Sequence, residues 1–359
     1  MPKLWPKLSR ERWTNIGLQV AALLLALGLT TAIMAAAGAH PISAYRVIIK
    51  GAAGSVNNAS DVLVAWVPLL LAASGVLVTF AAGLWNIGVE GQIVFGAILT
   101  TWLFRLLQTS TLSPVVIIIL GILAGMVGGA LWAALAGVLK TFGGVNEIFG
   151  GLGLNFVGAA VTLYLIFGPW KRPGIGSLSG TEPFPAKLAL PTIAGLRLSP
   201  WSLGLGILAV IVVYVLLERT YFGLKLKATG ANPRASFLLG VPTWQYGLLA
   251  FLICGALAGL AGAVQVTAVY HRLIPSISSG YGYLGLMVGM LIRYRAVWVA
   301  PIALFFAALN IGTIQLPIVL KLDSTLSGVL QGALVLFVVL MEGARQRYMH
   351  HVRMVGRAG

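Results

Sequence analysis

Long apolar runs separated by short polar connections are the feature that most limits what this chain can fold into. A helix needs about 20 mostly apolar residues to cross the hydrocarbon of a bilayer, and such runs recur from residue 15 to residue 341. Only 9% of the residues are charged, against roughly a quarter in soluble domains. We therefore predict an all-α, polytopic integral membrane protein with about ten transmembrane helices.

The predicted spans lie near residues 15–38, 62–82, 90–107, 113–138, 148–168, 200–217, 244–269, 280–292, 296–314 and 324–341. The run at 280–292 is short, so we expect a half-helix or a re-entrant segment there, and a total of about eight to eleven spans. The first run is long enough to span and has no convincing signal-peptidase site. It is predicted to remain as the first membrane helix.

The distribution of basic residues predicts the orientation. With the N-terminus in the cytoplasm, 15 of the 24 Lys and Arg residues lie inside and nine lie outside, as the positive-inside rule expects. Both termini are therefore predicted inside. The net charge of +16 fits this topology better than binding to nucleic acid. We interpret residues 1–359 as one transmembrane domain with a cytoplasmic N-terminus 1–14, an external loop 169–199, a cytoplasmic coupling loop 218–243 and a basic cytoplasmic tail 342–359.

Two of the longer connections are predicted to lie outside the membrane. The external loop 169–199 is rich in Pro and Gly, and it could receive an external partner. The segment 40–58 is predicted either as a short interfacial helix or as a solvated connector.

The stretch GLWNIGVEGQ places Trp85, Asn86, Glu90 and Gln92 between two apolar runs. On one straight helix at about 100° per residue, Asn86 and Glu90 would share a face and the other two would lie nearly opposite. Some polar group would then point at lipid, and an unpartnered polar group costs roughly 2 to 7 kcal/mol in an apolar environment. The chain must therefore bend or be enclosed by other spans, and its glycines permit both.

Two interpretations of these polar residues stay open. Asn86, Glu90 and Gln92 either line the translocation path or its gate, or Asn86 and Glu90 cap the cytoplasmic start of the third span. A carboxylate suits a helix N-terminus. The predicted topology puts Glu90 near the inner interface, which favours the cap.

Three further residues are candidates for the solute path. Asn155 lies within an apolar run, where the alternative is an interhelical hydrogen bond worth about 0.6 to 2 kcal/mol. Tyr281 and Tyr283 could stack on a base or a sugar, or belong to an aromatic belt at the membrane interface. No metal-ligand spacing or catalytic constellation occurs, so neither a metal site nor a catalytic residue is predicted.

The stretch GANPRASFLLG, residues 230–240, predicts a short helix in the longest cytoplasmic loop. Asn232 can cap the free amides, Pro233 suits the first helical position and Gly240 can end the helix. Taken alone, the pattern describes an interfacial helix that holds two spans apart.

This loop resembles the cytoplasmic segment of permease subunits in ATP-binding cassette importers, a short helix that docks into a cleft of the ATPase subunit. The stretch GLWNIGVEGQIVFGA is similar to a signature in permeases for nucleosides and simple sugars. The similarity covers residues 15–341 and departs from the family pattern at Trp85, Ala231 and Ser236. The resemblance assigns contact with the ATPase to Gly230, Asn232, Pro233, Arg234, Ala235 and Gly240.

The resemblance implies a permease subunit that translocates nucleosides delivered by an external substrate-binding lipoprotein. Besides membrane lipids, the implied partners are a second permease subunit and an ATPase subunit that uses ATP and Mg²⁺. The chain contains no G-x-x-x-x-G-K-[ST] phosphate loop, so we expect no enzymatic activity and no cofactor in this chain.

Two alternatives remain for the function. The first is a permease of the same kind for simple sugars such as ribose or galactose. The second is an ion-coupled secondary transporter, which would normally have an ionisable residue at mid-membrane depth. Apart from Arg105, the predicted span interiors contain none.

Overall fold

The computed structural model describes residues 24–25, 27–36, 38, 40–174, 180–292 and 295–321, with isolated positions from 328 to 343. Within these residues the chain is helical and has no strand, so the all-α prediction is confirmed. A π-helix, Gln265–Tyr270, directly follows the α-helix Thr243–Val264. The described helices are α1 Leu27–Ala36, α2 Pro41–Ala53, α3 Val56–Ala81, α4 Val89–Leu107, α5 Pro114–Thr141, α6 Glu147–Phe167, α7 Pro200–Arg219, α8 Tyr221–Ala231, α9 Pro233–Leu238, α10 Thr243–Val264, α11 Tyr281–Ile292, α12 Val299–Thr313 and α13 Gln315–Leu320.

Seven helices in the described part of the chain are long and apolar enough to cross a membrane, or eight if α1 and α2 form one broken span. The six predicted spans from 62–82 to 244–269 each match one of them. The run at 280–292 is α11, a helix of 12 residues, as expected for a half-helix. The count of about ten is not confirmed, because 324–341 and the start of the first span lie largely outside the described residues.

The chain divides into two compact units, residues 1–58 with 308–359 and residues 59–307. In the first unit the Thr30 hydroxyl lies 2.8 Å from the Tyr45 hydroxyl, which joins α1 to α2. A buried apolar cluster in this unit consists of Met34, Ala44, Ile48 and Leu316. Of the connection at 40–58, residues 41–53 are thus helical, as α2.

Helices α4, α5 and α10 form the centre of the second unit, and their crossings are lined by glycine. A side chain at Gly259 of α10 would overlap the carbonyl oxygen of Gly125 on α5, and one at Gly96 of α4 would overlap Gly259. Small residues at crossings let helix backbones touch, which is a main source of packing energy between membrane helices. The three helices therefore form a close-packed core.

Helix α11 packs along α3, and glycines of α11 form the contact. Gly285 packs against Ala72, and Gly289 packs against Val76 and Phe80. Since α3 extends from residue 56 to residue 81, the first turn of α11 begins beside the middle of α3. The N-terminus of this half-helix is therefore inside the bundle.

The loop 180–199 is tied to the end of α10. The end of a helical run leaves its last carbonyls without helical donors, and the loop supplies N–H groups to two carbonyls there. The Leu190 N–H donates to the Thr267 carbonyl at 2.9 Å, and the Phe184 N–H donates to the His271 carbonyl at 2.8 Å. This part of the predicted external loop is thus packed against the helices.

The glycine crossings generate a stability prediction. Gly259→Ala should destabilise the protein by about 1 to 3 kcal/mol, because the added methyl group has no room between backbones. Thermal unfolding in detergent measures the change. The matched control is Gly204→Ala on α7, where a methyl group meets no atom within 4 Å. Equal melting temperatures for the two variants would contradict the packing described here.

Candidate functional site

The motif at 83–92 forms a break between α3 and α4. The end of α3 is a Schellman-type turn, in which the Gly83 N–H donates to the Phe80 carbonyl and the Leu84 N–H donates to the Thr79 carbonyl, both at 2.9 Å. Gly83 has a φ of +74°, which glycine adopts without strain. The bend expected from the sequence is present, and residues 82–88 lie outside any helix.

Asn86 and Gln92 form a reciprocal amide pair within the break. Asn86 Nδ2 donates to Gln92 Oε1 at 3.1 Å, and Gln92 Nε2 donates to Asn86 Oδ1 at 3.0 Å. The Asn86 amide also donates to the Cys254 sulfur at 3.1 Å. All three side chains are buried. In this conformation both amides are used to stabilise the break.

Asn155 of α6 satisfies backbone groups that the break releases. Its Oδ1 accepts from the Gly91 N–H at 2.8 Å, and its Nδ2 donates to the Ile87 carbonyl at 2.9 Å. The first N–H groups of a helix have no partner within that helix, so Asn155 caps α4 from a neighbouring helix. The interhelical hydrogen bond considered for Asn155 is therefore present.

Glu90 caps the half-helix α11 instead of its own helix. Glu90 Oε1 accepts from the Ser278 hydroxyl at 2.6 Å, and Oε2 accepts from the Gly282 N–H at 2.8 Å. Gly282 lies in the first turn of α11, where a carboxylate also complements the helix dipole. The hydrogen-bonded cap expected from Asn86 and Glu90 is absent at Gly88, the N-cap position of α4. Glu90 does lie in the first turn of α4, where a carboxylate suits the helix dipole.

Glu90 lies beside the middle of the neighbouring helices rather than at the inner interface expected from the sequence. Its partner Gly282 is close to Gly285, which packs on Ala72 in the middle of α3. Cys254, which contacts the same break, lies near the middle of the helical run Thr243–Tyr270. The expectation does not hold because the break carries the chain back into the bundle before α4 begins.

The three aromatic candidates lie in different environments. Tyr283 is 41% exposed, and its hydroxyl lies 3.4 Å from Asn155 Nδ2. Tyr281 is buried. Trp85 is 44% exposed and packs against Phe80, with ring centroids 5.2 Å apart. The residues that come together at the start of α11 are thus Glu90, Asn155 and Tyr283.

The predicted cytoplasmic helix is α9, and its ends are as the sequence indicates. Asn232 Oδ1 accepts from the Ala235 N–H at 3.0 Å, and Pro233 occupies the first turn. At the other end, the Gly240 N–H donates to the Phe237 carbonyl at 2.9 Å, and Gly240 has a φ of +82°. The geometry of this short helix is therefore fixed at both ends.

The two sequence motifs meet through backbone contact. A side chain at Gly230, near the end of α8, would collide with the Ala81 carbonyl oxygen, and one at Gly83 would lie 3.0 Å from the Gly230 Cα. The segment that precedes α9 is therefore in van der Waals contact with the start of the break. The sequence distinguishes both glycine-containing motifs but does not predict that they touch.

Ser278, Gly282 and Cys254 are the site residues that the sequence did not identify. Ser278 and Gly282 flank the start of a short apolar run, and a small polar residue before a half-helix is the signal that could have identified the capped end. Cys254 has no comparable signal. Its contact with Asn86 depends on the packing of α10 against the break.

Helices of spanning length, a break stabilised by buried amides and a half-helix that begins inside the bundle define an α-helical, polytopic membrane protein. The chain belongs to the family described as "Branched-chain amino acid transport system / permease component", whose pattern matches residues 58–339. The family assignment expected from the two motifs is thus confirmed. No solved structure matches the chain.

Characterised relatives cover most of the chain. A glucose ABC transporter permease of Haloferax volcanii is 31% identical, over 95% of this chain and 91% of the relative. A guanosine ABC transporter permease of Bacillus subtilis is 26% identical, over 91% of this chain and 94% of the relative. A nucleoside ABC transporter permease of Lactococcus lactis is 29% identical, over 79% of this chain and 78% of the relative.

The role of Asn155 leads to a second stability prediction. Asn155→Leu keeps the side-chain volume but leaves the Gly91 N–H and the Ile87 carbonyl without their partner, which should cost about 1 to 3 kcal/mol for each group. Thr162→Val is the control, because the Thr162 hydroxyl bonds only the Gly158 carbonyl of its own helix. Thermal unfolding should separate the two variants, and similar values would contradict the capping role of Asn155.

Proposed function

We propose that this chain is the membrane subunit of an ATP-binding cassette importer for nucleosides, with simple sugars as the alternative solutes. The observation on which the proposal depends is the similarity, over most of the chain, to ABC permeases for guanosine, nucleosides and glucose. The chain would hold no cofactor of its own and would bind no nucleic acid.

The exposed tip of α9 supports contact with an ATPase. Phe237 is 64% exposed, and Leu238 and Leu239 are each 84% exposed. Three consecutive apolar side chains at the end of a capped helix form a patch of the kind that marks a protein interaction site. A cleft in the ATPase subunit is the proposed partner surface. Arg234 lies on the same helix and would contact the rim of that cleft.

The remaining partners and the orientation follow from this assignment. A second permease subunit, identical or similar, would complete the pore, and an external lipoprotein would deliver the solute near the loop 169–199. ATP and Mg²⁺ would bind to the ATPase alone. The tip of α9 would face the cytoplasm of a prokaryotic cell, with both chain termini on the same side of the plasma membrane.

The solute path is proposed to pass the start of α11. Glu90, Asn155 and Tyr283 meet there, and two of them are at least partly exposed. Asn86 and Gln92 would hold the break behind this surface. Trp85 and Tyr281 would shape its surroundings, because Tyr281 is buried and Trp85 packs on Phe80.

One observation favours the ion-coupled alternative. Glu90 is an ionisable residue beside the middle of α3, which is where a proton-coupled carrier would need one.

Uptake of radiolabelled guanosine, uridine, ribose and glucose into membrane vesicles distinguishes the two mechanisms. Vanadate-sensitive uptake that requires a co-expressed ATPase and lipoprotein is the expected result. Uptake by this chain alone, abolished by an ionophore, would overturn the proposal.

The docking role of α9 can be tested by polar substitution of its tip. Leu238→Ser combined with Leu239→Ser should reduce ATP-dependent uptake at least tenfold, because about 1.4 kcal/mol of lost apolar contact is sufficient for that effect. Binding of the loaded lipoprotein should be unchanged. Tyr221→Ser is the control, since Tyr221 is equally exposed but lies on α8. Normal uptake by the double variant would show that α9 is not the docking helix.

A further inference from the structure

The connecting segment 271–280 leads from the π-helix back into the bundle. It forms neither helix nor strand, and it ends at α11, whose first turn begins beside the middle of α3. Irregular backbone at membrane depth is tolerated only where protein encloses it or where it lines a water-filled cavity. The position of this segment therefore depends on the partners that surround it.

Thr181 of the external loop pairs with Leu273 of the connecting segment in both directions. The Thr181 N–H donates to the Leu273 carbonyl at 2.9 Å, and the Leu273 N–H donates to Thr181 Oγ1 at 3.1 Å. Both side chains are fully buried. A side chain at Gly180 would collide with the Leu273 carbonyl oxygen, so the two backbones are also in contact. The segment is thus fixed to the external loop at Leu273.

The loop is itself attached to the helices, so it provides a firm anchor. Phe184 is buried and packs edge-on against Phe104 of α4, with ring centroids 5.3 Å apart. Leu188 is buried as well, and the short 3₁₀ turn Ala186–Leu188 contacts α5. A displacement of the loop therefore has to move Thr181 against these helices.

Side chains also hold the last residues of the connecting segment before α11. Gln265 Nε2 donates to the Ile277 carbonyl at 3.2 Å, and the Tyr270 hydroxyl lies 3.0 Å from the Ser279 hydroxyl. Between these two residues, Ser278 bonds to the break at 2.6 Å. The position of Leu273 is therefore carried on to the start of the half-helix by a continuous set of hydrogen bonds.

The backbone of the connecting segment is held in an unfavourable conformation at two positions. His271 has a φ of +53° and Ser279 a φ of +50°, and residues other than glycine rarely adopt such values. Conformations of this kind persist only where the surrounding structure imposes them. The segment is therefore expected to rearrange when one of its restraints is removed.

We propose that Thr181 is a positioning residue of the solute path, because it fixes the connecting segment, and through it the start of α11, to the external loop. This inference rests on the proposed function, since it takes the start of α11 as part of the path. Glu182 and Lys187 on the same loop are exposed. A partner that contacts the outer side of the loop would therefore act on α11 through Thr181.

Three substitutions test the role of the Thr181 hydroxyl. Thr181→Val keeps the side-chain volume but leaves the Leu273 N–H without an acceptor. Thr181→Ser retains the hydroxyl and is the rescue variant. Thr162→Val is the matched control, since it removes a buried hydroxyl that bonds only within α6.

Hydrogen exchange of the full chain in detergent, followed by mass spectrometry, is the first measurement. The amides of Ser279, Tyr281 and Gly282 are hydrogen-bonded and lie well beyond Leu273 in the chain, so loss of a purely local contact would not expose them. Thr181→Val should raise their exchange rates roughly tenfold, as expected for the loss of one buried hydrogen bond. Thr181→Ser and Thr162→Val should leave these rates close to those of the wild type.

Uptake driven by the co-expressed ATPase and lipoprotein is the second measurement. Thr181→Val should lower the maximal rate of uptake, and Thr181→Ser should restore it. Thermal unfolding of each variant confirms that the chain is folded, and Thr181→Ala replaces Thr181→Val if that variant does not assemble.

The outcomes separate the positioning role from the function on which it rests. Unchanged exchange in Thr181→Val would overturn the positioning role, and so would an equal rise in Thr181→Ser, because the hydroxyl would then not be responsible. Faster exchange in Thr181→Val with a normal rate of uptake would show that the start of α11 is not part of the solute path. Wild-type uptake that is insensitive to vanadate would instead overturn the proposed function, whatever the exchange rates.

Discussion

The backbone groups released between α3 and α4 are the constraint to which the neighbouring helices are adapted. In an apolar environment each free N–H or carbonyl group must find a partner, and water is scarce there. Asn155 reaches across from α6 to satisfy one N–H and one carbonyl, and the Asn86 and Gln92 amides satisfy each other. The polar residues that look out of place in the sequence are thus the ones that make a broken span stable.

The same arrangement explains why the half-helix α11 can begin inside the bundle. A helix that starts there has free N–H groups in its first turn, and Glu90 supplies an acceptor from the break. Glu90 thus supplies the hydrogen-bond acceptor at the start of α11, and Ser278 and Gly282 supply the donors for Glu90.

Local sequence patterns predicted most of the helices and their ends. They did not predict the contacts between residues that are distant in the chain. The caps at Asn232 and Gly240 depend on neighbours a few residues away, so they could be identified from the sequence alone. The partner of Glu90 is 188 residues distant in the chain. Nothing in a single sequence specifies that pairing, and the simplest local alternative, a cap of α4, proved wrong. The depth of Glu90 was misjudged for a related reason, because the length of the break cannot be obtained from hydropathy.

The contact between Gly83 and Gly230 limits how the cytoplasmic segment can move. The two backbones touch without intervening side chains, so a displacement of α8 towards the bundle also displaces the end of α3. A displacement of α8 away from the bundle instead opens a gap between the two backbones, which lipid tails or water must fill. Transmission through this point is therefore stiff in one direction and weak in the other. A pull must instead pass through the chain itself, from α8 back to α7 and from α9 on to α10.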